Sequence, residues 1–213
     1  NLSAGGFRNR VASLKNTFGV FTANIILKSG TLPYMNRNLH VHKGGTDLWR
    51  RPESGTSSVM VHFYPPENPD GKFADCIDLL SPMSWDEVSG WADVRPGARG
   101  EDYETVKQRK LEECLDLVNA RIPGIRDCTD KVWLSTPLTW NSYVSVPYGS
   151  AFGVAKDWHN PLSTFMSPRT PLRNLLFTGQ SLNLHGLLGV TKTAFMTCGC
   201  ILGNETALSG LAE

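Results

Sequence analysis

Apolar and polar positions divide the chain into a strand-rich first part and a more helical remainder. Residues 18–28, FGVFTANIILK, are rich in β-branched and aromatic side chains and predict a long strand. NLHVH (38–42) and SSVMVHFYPP (57–66) predict two more, the second stopped by Pro65 and Pro66, which cannot donate to a ladder. FADCIDLLSP (73–82) predicts a fourth. Its apolar positions Cys76, Ile77, Leu79 and Leu80 are too dense for plain alternation and predict burial on both faces along part of it. Gly44 and Gly45, then WRRPESG, mark a surface connection.

Helical spacing begins after residue 83. Ser84 with Glu87 three residues on is a capping-box spacing and predicts a short helix in SWDEVSGWAD. The clearest helix runs from Asp102 to about Arg121. Val106, Leu111, Leu115 and Val118 form its apolar stripe, acids fill its first turn, and Pro123 with Gly124 ends it. KVWLSTPLTW (131–140) predicts a strand ending in a turn. Residues 147–170 read as loop, Leu175–Thr178 as a short buried strand, and Val190–Leu202 as a helix stopped by Gly203 and Asn204. The order predicts an α+β fold, a mainly antiparallel sheet with helices. A C-terminal strand–turn–helix follows and looks as if it belongs to a different sheet.

Composition narrows the function classes. The formal net charge of +1 gives no global field to recruit nucleic acid or anionic lipid. No apolar run approaches the roughly 18 residues that span a bilayer. GxSxG, HExxH and phosphate-loop motifs are absent. The five cysteines, Cys76, Cys114, Cys128, Cys198 and Cys200, match no zinc or redox spacing and read as small buried residues in a reducing cytosol. His40 and His42 share one strand face, with His62 on a neighbouring strand. No Asp or Glu accompanies them, so they read as sheet residues and no metal is expected. Asp75, Asp78, Glu112 and Glu113 read as solvated charges. Arg50 and Arg51 beside Trp49 offer a weak anion-binding cluster. Trp85, Trp91, Trp133 and Trp140 read as core or interface aromatics that also suit an apolar cavity.

The stretch with the most chemistry is NLLFTGQSLNLHGLLGVTKTAFMTCGCILG (174–203). Gly179 lets backbone approach a ligand at a strand end, and Gly186 and Gly189 permit tight turns before a helix. A helix starting at Val190 would present the amides of Val190, Thr191 and Lys192, carrying about half a positive charge. Such an end suits an anion, or a ring that gains negative charge on reduction.

This stretch resembles the C-terminal flavin-contacting segment of the FAD-dependent carotenoid desaturase, carotenoid isomerase and retinol saturase family. Asn174, Leu175, Phe177, Thr178, Gly179, Gln180, Asn183, His185, Gly186, Gly189 and Val190 fit its pattern. PMSWDEVSGWAD (82–93), TPLTW (136–140), YGSAFGVAKD (148–157) and SPRTPLRNL (167–175) are also similar to it. The resemblance implies a discontinuous FAD-binding α/β domain interrupted by a substrate domain. In this chain it implies a substrate-binding domain over 1–140 and a returning FAD-domain segment over 141–213. It further implies FAD as cofactor, with contacts from Gly179, Gln180, Ser181, His185, Gly186, Leu188, Gly189, Val190 and Thr191. His185 is a candidate acid–base group, with packing or hydrogen bonding to the cofactor as its simpler role.

The implied reaction is hydride exchange between FAD and an apolar polyene or lipid, with desaturation, saturation or isomerisation as outcome. The implied setting is cytoplasmic and peripheral to a membrane. The chain lacks a GxGxxG and the acidic ribose-binding residue that follows one. It therefore reads as the C-terminal part of a longer enzyme, inactive alone and holding FAD weakly. The rival expectation is a non-enzymatic lipid- or protein-binding module with a vestigial flavin motif. Oligomeric state is not legible in the sequence.

Overall fold

The computed structural model describes residues 4–45 and 55–209. Its elements in chain order are α1 (Ala4–Ser13), β1 (Gly19–Leu27), β2 (Leu39–His42), β3 (Ser58–Phe63), β4 (Cys76–Met83), α2 (Gly100–Asn119) and α3 (Ile125–Cys128). There follow β5 (Thr129–Ser135), α4 (Pro137–Val144), α5 (Pro161–Thr164), α6 (Gly186–Leu202) and α7 (Asn204–Ser209). The fold is α+β, and every pairing in its five-stranded sheet, ordered β2-β3-β4-β1-β5, is antiparallel.

The chain divides into two compact units. One is Phe18–Ser150; the other joins Asn1–Thr17 to Ala151–Glu213. The division falls at 17/18 and 150/151, and it groups the first 17 residues with the last 63.

The first unit holds all five strands. One sheet face carries Phe21, Ala23 and Ile25 of β1, Val59 and Val61 of β3, and Ile77 and Leu79 of β4. These pack with Leu111, Cys114, Leu115 and Val118 of α2 into one buried cluster. Each fully buried side chain of this kind contributes about 1.5–3 kcal/mol relative to exposure. β4 alternates strictly between half-buried and buried positions. The expected two-sided burial is thus corrected: Leu80 lies on the opposite face from Leu79 and is only half-buried. The second sheet face, called here the open face, carries His40, Met60, His62, Asp78, Asn24 and Trp133.

Helix α2 follows its apolar stripe closely, starting two residues earlier than expected, with Glu101 and Asp102 in its first turn. The Ser84 capping box forms: Ser84 Oγ accepts from Asp86 N at 3.2 Å, and Glu87 Oε1 accepts from Ser84 N at 3.0 Å. The turns it caps are 3-10, over Trp85–Glu87 and Ser89–Trp91. The strand expected to reach residue 140 stops at Ser135. Thr136 accepts from Leu138 N, and Pro137 occupies the first helical position, so TPLTW opens α4 instead.

The second unit holds α1, α5, α6 and α7. Helix α1 was not expected, because Gly5 and Gly6 weaken the sequence signal. The buried strand expected over Leu175–Thr178 does not form. Only an isolated bridge between Arg169 and Leu176 is present, and Leu175 is exposed, because among the described residues no further ladder partner meets this segment. The expected burial of the cysteines is also corrected. All five are free; Cys114 is buried, Cys76, Cys128 and Cys200 are half-buried, and Cys198 is exposed. Among the described residues, no helix is long and apolar enough to cross a membrane.

Candidate functional site

The turn from Thr178 to Gly189 is the candidate site, and its shape comes from braces within the second unit. Helix α6 begins at Gly186, four residues before the expected start, with His185 as its N-cap residue. The unpaired amides therefore belong to Gly186, Leu187 and Leu188, which corrects their expected assignment to Val190, Thr191 and Lys192. The early start is possible because Gly189 packs on the preceding loop. A Cβ at Gly189 would come within 2.5 Å of the Leu184 carbonyl. Of the residues implied as flavin contacts, Gly186 and Leu188 remain at the helix N-terminus. Val190 and Thr191 lie one turn in, and Thr191 Oγ1 donates to Leu187 O at 2.8 Å.

Gly179 and Gly186 have φ of +96° and +76°, and a Cβ at either would meet nothing within 4 Å. These are left-handed backbone positions with open space beside them, which lets a ligand approach the main chain. Gln180 and Ser181 are half-buried between them. The His185 ring lies 4.7 Å from the Phe152 ring, tilted by 50°. Its side chain makes no capping hydrogen bond, so packing rather than capping sets its place.

Lys156 ties the loop together. Its Nζ donates to the carbonyls of Ser181 at 2.8 Å, Leu182 at 2.9 Å and Thr164 at 3.2 Å. An ammonium has three protons, and all three are used. Burial pushes the Lys156 pKa below its ordinary value. Leu182 O also accepts from Met166 N, and Thr197 Oγ1 donates to Phe177 O from the body of α6. Lys156 and Phe152 were not singled out from the sequence. The available signal was a lone cation in a loop of small residues.

The other candidates disperse. His40 and His42 share the open sheet face, and His62 Nδ1 bonds Asn38 Oδ1 at 2.7 Å. Among the described residues no group of three or more His, Cys, Asp or Glu could hold a metal ion. Trp49, Arg50 and Arg51 lie outside the described residues. Glu112 pairs with Arg126, and Glu113 accepts from Thr56 Oγ1 at 3.0 Å. Asp78 is not a merely solvated charge: it accepts from Asn24 Nδ2 and from Tyr64 Oη, both at 2.6 Å. Trp85 and Trp91 pack against the core, whereas Trp133 is 53% exposed on the open sheet face.

Comparison with known proteins gives this geometry its context. All-trans-retinol 13,14-reductase of Danio rerio is 30% identical over 143 residues, 66% of this chain and 23% of the relative. The human protein of that name is 28% identical over 127 residues, 58% of this chain and 21% of the relative. That of Rattus norvegicus is 28% identical over 129 residues, 59% and 21% respectively. These similarities support a place for the chain among the retinol saturase and carotenoid desaturase-related proteins. No family model matches it. The matches span less than a quarter of the length of these curated relatives.

Proposed function

We propose that this chain is the substrate domain and the terminal FAD-domain segment of a flavin-dependent oxidoreductase acting on a retinoid or other polyene lipid. The carrying observation is the turn at 178–189. Two glycines with open space flank it, and a 17-residue helix begins at its end with free amides. These residues fit FAD. Gly179, Gln180 and Ser181 offer close main-chain approach to a phosphate or polyol chain. The amides of Gly186, Leu187 and Leu188 offer donors and a partial positive charge to a ring oxygen. When bound, FAD supplies the hydride acceptor or donor.

The chain's own residues bind, orient and exclude water. Lys156 holds the Ser181 and Leu182 carbonyls in place, and Phe152 packs on the His185 ring. The relatives' printed name, a retinol reductase, supports a redox reaction on a polyene. In the intact protein we assign the exposed apolar residues of α6, Leu187, Leu188, Ile201 and Leu202, to contact with the remainder of the FAD domain. Peripheral contact of the intact, cytoplasmic protein with a membrane follows from the solubility of its substrate.

The test is the visible spectrum of a purified longer protein that carries the upstream dinucleotide-binding part. Flavin absorbance at about one equivalent is expected, and His185→Ala should change FAD content or turnover. A colourless longer protein would sink this reading and favour a second one, a non-catalytic lipid- or protein-binding module, which the exposed apolar face of α6 also suits. The present chain alone should hold FAD weakly. Tight stoichiometric binding would overturn the view that the adenosine anchors lie elsewhere.

A further inference from the structure

We propose that the second unit carries a headgroup site for an anionic phospholipid. The site is a cavity between α1 and residues 166–171, wholly within that unit, and exposed apolar side chains beside it enter the bilayer. It goes beyond the flavin reading and uses none of the residues assigned to FAD.

Charge points to it first. Asn1–Thr17 with Ala151–Glu213 hold seven Lys and Arg against three Asp and Glu, a net of +4. Phe18–Ser150 hold fourteen against seventeen, a net of −3. The whole-chain value of +1 therefore conceals a cationic unit, which an anionic surface attracts. The ion pairs among the described residues all lie in the first unit, so they neutralise none of this charge.

The cavity measures about 480 Å³, and its lining includes Arg10 and Arg169 but no acid. Main-chain carbonyls hold both guanidinium groups. Arg10 Nη2 donates to Leu162 O at 3.0 Å and to Phe165 O at 2.6 Å, and Arg169 Nη2 donates to Cys200 O at 3.0 Å. The Nε–H and both Nη1 protons of each arginine take no acceptor among the described residues. They keep the planar fork that matches a phosphate. Ser167, also in the lining, accepts from Arg169 N at 3.1 Å and has its hydroxyl proton left to give. Phe7, Val11, Leu14 and Met166 make the rest of the lining largely apolar. Such a mixture suits a phosphate that carries acyl chains better than a bare sugar phosphate.

Exposure supplies an independent observation. Arg10 binds the carbonyls of two residues whose side chains stand in solvent: Leu162 is 80% exposed and Phe165 46%. Trp158, in the same loop and also 80% exposed, packs on the His159 ring at 3.6 Å. The loop backbone is fixed by its own hydrogen bonds. Asp157 Oδ1 accepts from His159 N and Asn160 N, and Thr164 Oγ1 accepts from Asp157 N. A fixed loop that shows Trp, Leu and Phe beside arginines matches a surface seated at a bilayer interface.

The test is co-sedimentation of this chain with vesicles of phosphatidylcholine, alone or with about one-third phosphatidylserine. Binding to the anionic vesicles should be about tenfold or more tighter, with tryptophan emission shifted to the blue. Trp158→Phe should remove most of that shift. Arg169→Gln should weaken anionic binding about fivefold or more, the worth of one cation at such a surface. Arg8→Gln removes the same charge on the opposite side of α1 from Arg10, about one screening length away, and should cost less than about twofold. Ser167→Asp keeps an acceptor for the Arg169 amide, puts a carboxylate in the cavity and should abolish the anionic preference. Circular dichroism checks the folds; if Arg169→Gln unfolds, Ser167→Asp decides.

Equal binding to the two vesicles, no binding to either, or equal losses from Arg8→Gln and Arg169→Gln would overturn the proposal. Calorimetric binding of glycerol 3-phosphate without vesicle binding would also overturn it, by making the ligand a soluble phosphate. A longer protein with the upstream dinucleotide-binding part that no longer binds vesicles would do the same, because the cavity would then be an internal contact. A colourless longer protein that still selects anionic vesicles keeps this site and removes the flavin reading.

Discussion

Lys156→Met is the perturbation that most directly probes how the candidate turn is held. Methionine keeps the apolar stem and removes the cation. Three carbonyls then lose a donor, but not equally. Leu182 O retains the Met166 amide at 3.3 Å, whereas the Lys156 bonds are the hydrogen bonds described for Ser181 O and Thr164 O. Hydrogen bonds to a charged group are each worth about 1.5–3 kcal/mol when sheltered. Lys156 is partly exposed, so water replaces some of what is lost and screens the charge. Desolvation of the ammonium already opposes the clamp, as its lowered pKa records.

A net local cost of about 1.5–3 kcal/mol follows, a roughly ten- to hundredfold rise in the opening of the turn. Native-state hydrogen exchange reads this directly. The Leu182 amide, bonded to Gly179 O at 3.4 Å, should lose protection, while amides of α2 should not. Lys156→Arg should rescue only in part, because a planar guanidinium cannot aim at three carbonyls from one point. Unchanged protection of residues 179–184 in the methionine variant would refute the argument that this cation shapes the turn.

Other consequences are equally direct. With its pKa raised from 10.0 to about 12, folded Tyr64 keeps a proton that the unfolded chain has lost between those values. Its contribution to stability is therefore complete below pH 10 and lost as pH rises toward 12. Ultraviolet titration should show one tyrosine ionising near 12, and Asp78→Asn should return it toward 10. Gly149→Ala should destabilise by about 2 kcal/mol or more in urea melts, because Gly149 has φ +60° and a Cβ there would overlap the Pro137 carbonyl. Phe21→Ala, emptying the largest fully buried side chain of the sheet, should cost about 3–5 kcal/mol by the same assay. A loss under about 1 kcal/mol would mean that the core described here is not the one that holds the sheet.

The strands and α2 were legible because their periodicity is local. In β1 nearly every position is apolar, and in α2 the buried positions recur with the helical turn. The Ser84 capping box was legible for the same reason, since its two bonds join residues three apart. The errors have equally specific causes. Pro137 looked like the end of a strand, but Thr136 made it the first residue of a helix. The start of α6 depended on Gly189 fitting against Leu184, a contact that no periodicity reports. The apolar residues at 175–178 have the composition of a strand, yet a strand exists only where a neighbour supplies hydrogen bonds.

By itself the sequence determined the element types, the antiparallel α+β class and the presence of a glycine-flanked turn with family character. Those follow from side-chain spacing and from the backbone freedom of glycine, both properties of neighbouring residues. Only the tertiary structure decided which groups serve that turn. Lys156 reaches Ser181 and Leu182 across 25 and 26 residues, and Asp78 meets Asn24 across 54 and Tyr64 across 14. Such pairings are set by strand register and loop packing. Hydrogen bonds act over about 3 Å of space, whatever the distance along the chain.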